Sequence, residues 1–511
     1  MRRKSLLVTC AVAAAMVLPV TSAAAVDQVD TQRLRDAVTV GGIIGHERVF
    51  QRIANQNDGT RASGTPGFKA SADYVRETLR QAGYDVRLQK FDFNFFQELG
   101  PAALREVAPT AADYETETFE YSGSGDVTGT LVPTNDIVIP PSPEPSSTSG
   151  CEATDFDPAP TEPAVALVQR GTCTFETKAQ NAAAAGYDAV IIFNEGQPGR
   201  TDLPGGTLGN PQSIPVVGLS FADGAALYQQ VQQGAVTMQV VTSTASEVRP
   251  TWNVIADSPG GDPNKVVVVG AHLDSVLEGP GINDNGSGSA TILETAVQIN
   301  KLKLKPQQKL RFAFWGAEEA GLLGSEHYVD TLPAAQLNKI MANLNFDMLG
   351  SPNYVRFVYD GDGSDGAAGP QPGSGQIEQI FTNYFAGQGL ASDPTAFDGR
   401  SDYGPFIAAG IPAGGLFSGA EGIKTEDEAA VYGGTAGEPY DACYHQACDS
   451  IAAPGNNLND QALAELGDAA VHAIWTLGKT KTGFYADGSR MAMAQAFSKD
   501  SVEYWGGELI R

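Results

Sequence analysis

The stretch that most constrains this chain is the run Lys-Val-Val-Val-Val at 265–269. A β-branched run without polar alternation needs cover on both faces, as strands of helix-flanked parallel sheets have. The neighbouring segments keep the same rhythm. Residues 289–300 read as a helix with Ala290, Leu293 and Val297 on one face, and 310–315 and 354–359 read as further strands. The predicted fold class is α/β, an open mixed but mainly parallel sheet flanked by helices.

Upstream, Ala72, Val75, Leu79 and Ala82 fall within about 80° of one another on a helix that Gly83 ends. Residues 84–93 then alternate like a half-buried strand. The composition shifts near Tyr121. Short β-like runs at 129–132, 164–168, 189–193 and 214–219 alternate with Pro/Ser/Gly-rich loops and one Ala-rich helix at 177–185. The block ends near Ser246. Residues 26–120 and 247–480 are therefore read as one discontinuous domain and 121–246 as a β-rich insert. Residues 481–511 form a polar extension or propeptide.

With 511 residues, 42% apolar and 18% charged, the chain has ample material for a globular core. Sixty acidic against 33 basic side chains give a net charge of −27, which disfavours nucleic acid and anionic lipid as partners. Arg2, Arg3 and Lys4, an apolar stretch at 6–20 and Ala23-Ala24-Ala25 read as a signal peptide over 1–25. No later run approaches the ~20 apolar residues of a membrane anchor. The expected location is extracellular. Cys10 leaves with the signal, and four cysteines remain in an oxidising setting. Sequence proximity pairs Cys151 with Cys173 and Cys443 with Cys448. A cysteine metal site is the alternative, although no CxxC pair supports it.

Open α/β sheets place their sites beyond the carboxyl ends of strands. Metal-type side chains fall there: His272 and Asp274, then Asp284, the Glu318-Glu319 doublet, Asp347 and His445. Two histidines with three carboxylates suit two zinc ions sharing one Asp, and one further carboxylate is needed to move protons. The spacing of His272 and Asp274 lets the Asp274 carboxylate accept the second imidazole N–H.

The motifs GAHLDS (270–275), INDNGSG (282–288), GAEEAGLLGS (316–325), NFDMLGSPN (345–353), FDGRSDYGPF (397–406) and CYHQACD (443–449) resemble the secreted di-zinc aminopeptidases of the bacterial leucyl aminopeptidase type. The resemblance implies a zinc exopeptidase fold acting on peptide substrates as a monomer. It puts His272 and Asp347 on one zinc, Glu319 and His445 on the other, and Asp284 between them. Glu318 becomes the general base to a metal-bridging hydroxide, Tyr444 a donor to the oxyanion, and Arg400 a substrate-positioning group. Met348, Gly399 and Phe417 match an apolar side-chain pocket. The same resemblance implies a cis Asp284–Asn285 peptide and Cys443–Cys448 clamping the loop of Tyr444 and His445. Calcium modulation occurs among relatives, but no EF-hand-type loop is present. The stretch VALVQRGTCTF at 165–175, followed by a helix and a new strand, resembles a protease-associated domain. Zinc carboxypeptidases, cyclases and a metal-free binding ectodomain are the competing classes. The first lacks a cationic patch beyond Arg400, the second uses one zinc, and the third should lack ligands.

Overall fold

Val266 to Val269 are buried in the middle of a sheet that joins thirteen strands among the described residues. The computed structural model describes residues 28–159, 162–364, 372–451 and 456–480, so the expected signal segment and the 481–511 extension lie outside it. The strands are β1 (Asp85–Ala108), β2 (Ala112–Tyr114), β3 (Gly125–Pro133), β4 (Ala164–Gln169), β5 (Ala189–Phe193) and β6 (Val216–Leu219). They continue as β7 (Thr237–Asp257), β8 (Asp262–His272), β9 (Gln308–Trp315), β10 (Ile340–Asp347), β11 (Phe357–Tyr359), β12 (Asp393–Thr395) and β13 (Ala413–Phe417). In the half that carries the valine run the order is β12-β11-β13-β10-β8-β9-β7. β8 pairs in parallel with both β9 and β10, and β10 with β13, while β9 meets β7 antiparallel. The fold is mixed α/β, with helices covering a large mixed sheet and a second β-rich unit inserted.

The helices form where their ends are capped and one face is apolar. Pro66–Gln81 starts with Pro66 after Thr65, whose hydroxyl accepts the Phe68 N–H, and it buries Ala72, Val75 and Leu79. Gly83 follows at φ +78°, a left-handed position where a side chain would be strained. Gly288–Lys301 lies against the sheet, and Ala290, Ile292, Leu293, Ala296 and Ile299 are buried. Val297, expected on that face, is only half-buried. The wholly buried first half makes this helix the inner prop of the loop before it.

β1 and β7 run further than local alternation foretold. They pair antiparallel from Asp85↔Asp257 to Ala108↔Thr237, with shifts in register near Gly100. Strand length here follows from the partner supplying hydrogen bonds, not from alternation in either segment. This long ribbon leads from the sheet around β8 into the insert, where β3 meets β7 antiparallel and β3 to β6 run parallel. The strand expected from 354 begins at Phe357, because the Tyr354 carbonyl and Val355 N–H are taken by Lys424 and Ser418. Cys151–Cys173 and Cys443–Cys448 are both formed. No helix of the described residues is long and apolar enough to cross a membrane.

Candidate metal centre

Three adjacent parallel strands, β10, β8 and β9, end on the same side of the sheet, so His272, Asp347 and the Glu318-Glu319 turn after Trp315 arrive together. Asp284 comes from the loop between β8 and Gly288–Lys301, and the Asp284–Asn285 peptide is cis. Asn285 locks that loop to the end of β10: its Nδ2 donates to the Phe346 carbonyl at 2.8 Å and its Oδ1 accepts the Met348 N–H at 3.2 Å. His445 enters from the loop closed by Cys443–Cys448. Ala317, Met348 and His445 all have φ between 50° and 56°. Left-handed backbone costs such residues roughly 1–2 kcal/mol each, and here it turns the chain at or beside three of the ligand-type residues.

The distances separate two nests that share Asp284. Its Oδ1 lies 3.1 Å from His272 Nε2, and its Oδ2 lies 3.2 Å from His445 Nε2. Asp347 Oδ1 completes the first nest at 3.3 Å from His272 Nε2. Glu319 Oε2 completes the second at 3.0 Å from His445 Nε2. In each nest the three candidate ligand atoms fall within 4.8 Å of one another. Glu319 Oε1 is buried without a hydrogen-bond partner among the described residues, an arrangement that a cation would relieve. A donor set of imidazole and carboxylate fits Zn²⁺. A separate acidic group, Asp360, Asp362 and Glu378, shares no residue with these nests, and its carboxylates accept nearby backbone N–H groups.

Electrostatics point the same way. Burial pushes the Glu319 carboxyl up to about 7, reinforced by the negative charge of Asp284. Burial would lower His445, yet Glu319 and Asp284 hold it up to about 11. Burial would raise Asp284, but hydrogen bonds from His272 and His445 outweigh it and hold its carboxyl well below the usual range. The cavity has more anionic than cationic groups and favours added positive charge.

Support of His272 differs from expectation. Its Nδ1 meets the Asp274 carbonyl oxygen at 3.2 Å, while the nearest Asp274 carboxylate oxygen stands at 3.7 Å. The main chain bends back under the ring after β8, so the carbonyl reaches the N–H first. A carbonyl only accepts, which puts the proton on Nδ1 and leaves the Nε2 lone pair facing the nest. The Asp274 carboxylate instead accepts the Glu318 backbone N–H at 3.3 Å.

Glu318 borders the cavity with Oε2 3.9 Å from His272 Nε2, and burial pushes its carboxyl well above the usual range. Arg400 donates to the Tyr444 hydroxyl at 3.3 Å and to Glu421 at 2.7 Å. Met348, Gly399 and Phe417 line the same cavity of 130 Å³, together with Tyr359, which the sequence reading missed. Two further contributors went unnoticed. Ser401 Oγ donates to Asp347 Oδ2 at 2.6 Å, and Asp449 accepts the backbone N–H groups of Asn283 and Asp284. Both sit inside the quoted motifs, one residue from Arg400 and Cys448, so position relative to a ligand-bearing loop was the available signal.

Residues 253–474 match the model of Peptidase family M28, and residues 127–227 match that of the PA domain. An aminopeptidase of Pseudomonas aeruginosa is 47% identical over 479 residues, covering 90% of this chain and 86% of that protein. The chain belongs to peptidase family M28. Leucine aminopeptidase 2 of Trichophyton rubrum is 43% identical over 83% of this chain and 81% of its own length. BSAP, a zinc aminopeptidase from Bacillus subtilis, superposes with a TM-score of 0.57 at 26% identity, over 86% of this chain and 95% of that one. The aminopeptidase from Aneurinibacillus sp. strain AM-1 has a similar fold, with a TM-score of 0.61 at 24% identity, over 89% and 97% of the two chains.

Proposed function

We propose that this M28 aminopeptidase is a two-zinc enzyme that removes large apolar residues such as Leu from peptide N-termini. The observation that carries the reading is Asp284, whose two oxygens face His272 and His445 separately. His272, Asp347 and Asp284 would hold one ion, and Glu319, His445 and Asp284 the other. Such a pair supplies a nucleophile from water near neutral pH and polarises the scissile carbonyl.

The chain's own residues do the rest. Glu318, outside both nests and raised by burial, takes a proton from the attacking water and returns it to the leaving amine. The Tyr444 hydroxyl, oriented by Arg400, donates to the developing oxyanion. Glu318 and Asp347 border the same cavity and meet the free α-ammonium. Met348 and Phe417, on the wall of the same cavity, offer an apolar surface to the substrate's first side chain. Arg400 is already held by Glu421, which argues against its serving as the carboxylate receptor of a carboxypeptidase. Two formed disulfides support export with removal of residues 1–25.

The test is hydrolysis of leucine amide and N-acetyl-leucine amide, with metal analysis, before and after chelation. Turnover of the free-amine substrate, lost on chelation and restored by two equivalents of zinc, is expected. Chelator-insensitive turnover, or equal turnover of the blocked amide, overturns the proposal.

A further inference from the structure

Beside the cavity of the nests lies a second one of 860 Å³, several times its volume and large enough for a sizeable ligand. Glu319 lines both, so the larger cavity borders the ligand nests. Its floor is apolar: Phe93 and Phe95 pack with Leu277 and Ala320 from the peptidase side. The insert side contributes Phe175, and the segment between β2 and β3 contributes Tyr121. Charge is one-sided. Glu117 and Glu120 stand on one wall and Glu278 on the other, and no lysine or arginine lines the cavity among the described residues. Arg249, stacked on Phe95, is paired with Glu247 at 2.7 Å.

We infer that this cleft binds the two or three residues that follow the scissile bond and favours peptides carrying Lys or Arg there. The inference rests on the aminopeptidase reading, since that reaction leaves the rest of the substrate to be housed on the far side of the cleaved bond. The adjoining cleft, which shares Glu319 with the cavity of the nests, offers the remaining chain a path. Aromatic walls suit the alkyl stems of long cationic side chains and attract their charged ends. Carboxylates on both walls attract those ends further and repel acidic side chains. The insert thus supplies part of the aromatic wall, Tyr121 and Phe175, while the carboxylates come from the segments that flank it.

The full-length protein is assayed at low ionic strength on leucine amide and on Leu-Ala-Lys, Leu-Ala-Gln and Leu-Ala-Glu amides. The expected order of kcat/KM is Lys above Gln above Glu, with about tenfold between the ends, because each exposed charge pair contributes only a small factor. Added salt compresses the order. Glu117 and Glu278 are exposed, so the double charge reversal Glu117→Lys/Glu278→Lys leaves the core intact and should flatten or invert it. Equal rates on the three tripeptides, or an order unmoved by the reversal, overturn the inference. Leucine amide separates the two readings. If it is not cleaved, the aminopeptidase reading fails; if it is cleaved while the tripeptides are treated alike, only the cleft inference fails.

Discussion

Asp449 Oδ2 accepts the backbone N–H of Asp284 at 2.9 Å, tying the peptide of the residue common to both nests to the residue that follows Cys448. Its Oδ1 takes the Asn283 N–H at 2.8 Å, so one buried carboxylate holds two successive main-chain groups. Asp449→Asn would set an amide N–H₂ against one of those donors while keeping the side-chain shape. Zinc affinity should fall about 10–100-fold, read by competition with a chelating dye. Unchanged affinity would show that the loop holds its place without this carboxylate.

Glu318→Gln separates proton transfer from metal binding. His272, Glu318 and Glu319 also offer ligand atoms within 4.8 Å of one another, so the alternative that Glu318 holds an ion has a geometric basis. With Glu318 as proton carrier, kcat should drop by about 10²–10⁴ while elemental analysis still finds two zinc ions. A variant that loses one ion would reassign Glu318 as a ligand.

The two disulfides should differ in what they protect. Cys443–Cys448 closes a separation of 5 residues and Cys151–Cys173 one of 22. Loop entropy gives on the order of 2 kcal/mol for the first and 3 for the second. Cys443→Ser/Cys448→Ser should therefore lower Tm less than Cys151→Ser/Cys173→Ser, yet cost more kcat/KM on leucine amide. Thermal melts and kinetics on both variants decide, and the reverse ranking would remove the local-clamp role of the short loop.

His472 should make the fold acid-sensitive. It lies against Tyr384 and its Nδ1 meets the Thr31 hydroxyl at 2.9 Å. Burial, helped by the charge of Arg35, pushes its pKa down to about 4 from 6.5. The unfolded chain then binds a proton that the folded one refuses, so stability is full above pH 6.5 and is lost as pH falls from there toward 4. Discounted for partial exposure, the loss is on the order of 2 kcal/mol. His472→Gln should show a smaller decline than the wild type in urea melts at pH 7, 6, 5 and 4. Parallel declines in both proteins would assign the sensitivity elsewhere.

Much of this molecule was legible residue by residue. The valine run of β8, the strand at 310–315 and the cap and apolar stripe of Pro66–Gln81 each declare themselves within a few positions. The five ligand-type side chains named from their loops do converge on one cavity. Asp274 shows the limit: its type and spacing were plain, but whether its carbonyl or its carboxylate reached His272 depended on how the chain bent after β8.

Side-chain chemistry, burial pattern and the short spacing between paired cysteines are properties of neighbouring residues, and the sequence alone determined them. The length of the β1–β7 ribbon, the hold of Asp449 and Ser401 on Asp284 and Asp347, and the acidic cleft were decided only on folding. The Ser401 and Asp449 bonds join residues 54 and 165 apart, and the ribbon pairs residues up to 172 apart; no local periodicity records which distant group will supply a hydrogen bond or a wall.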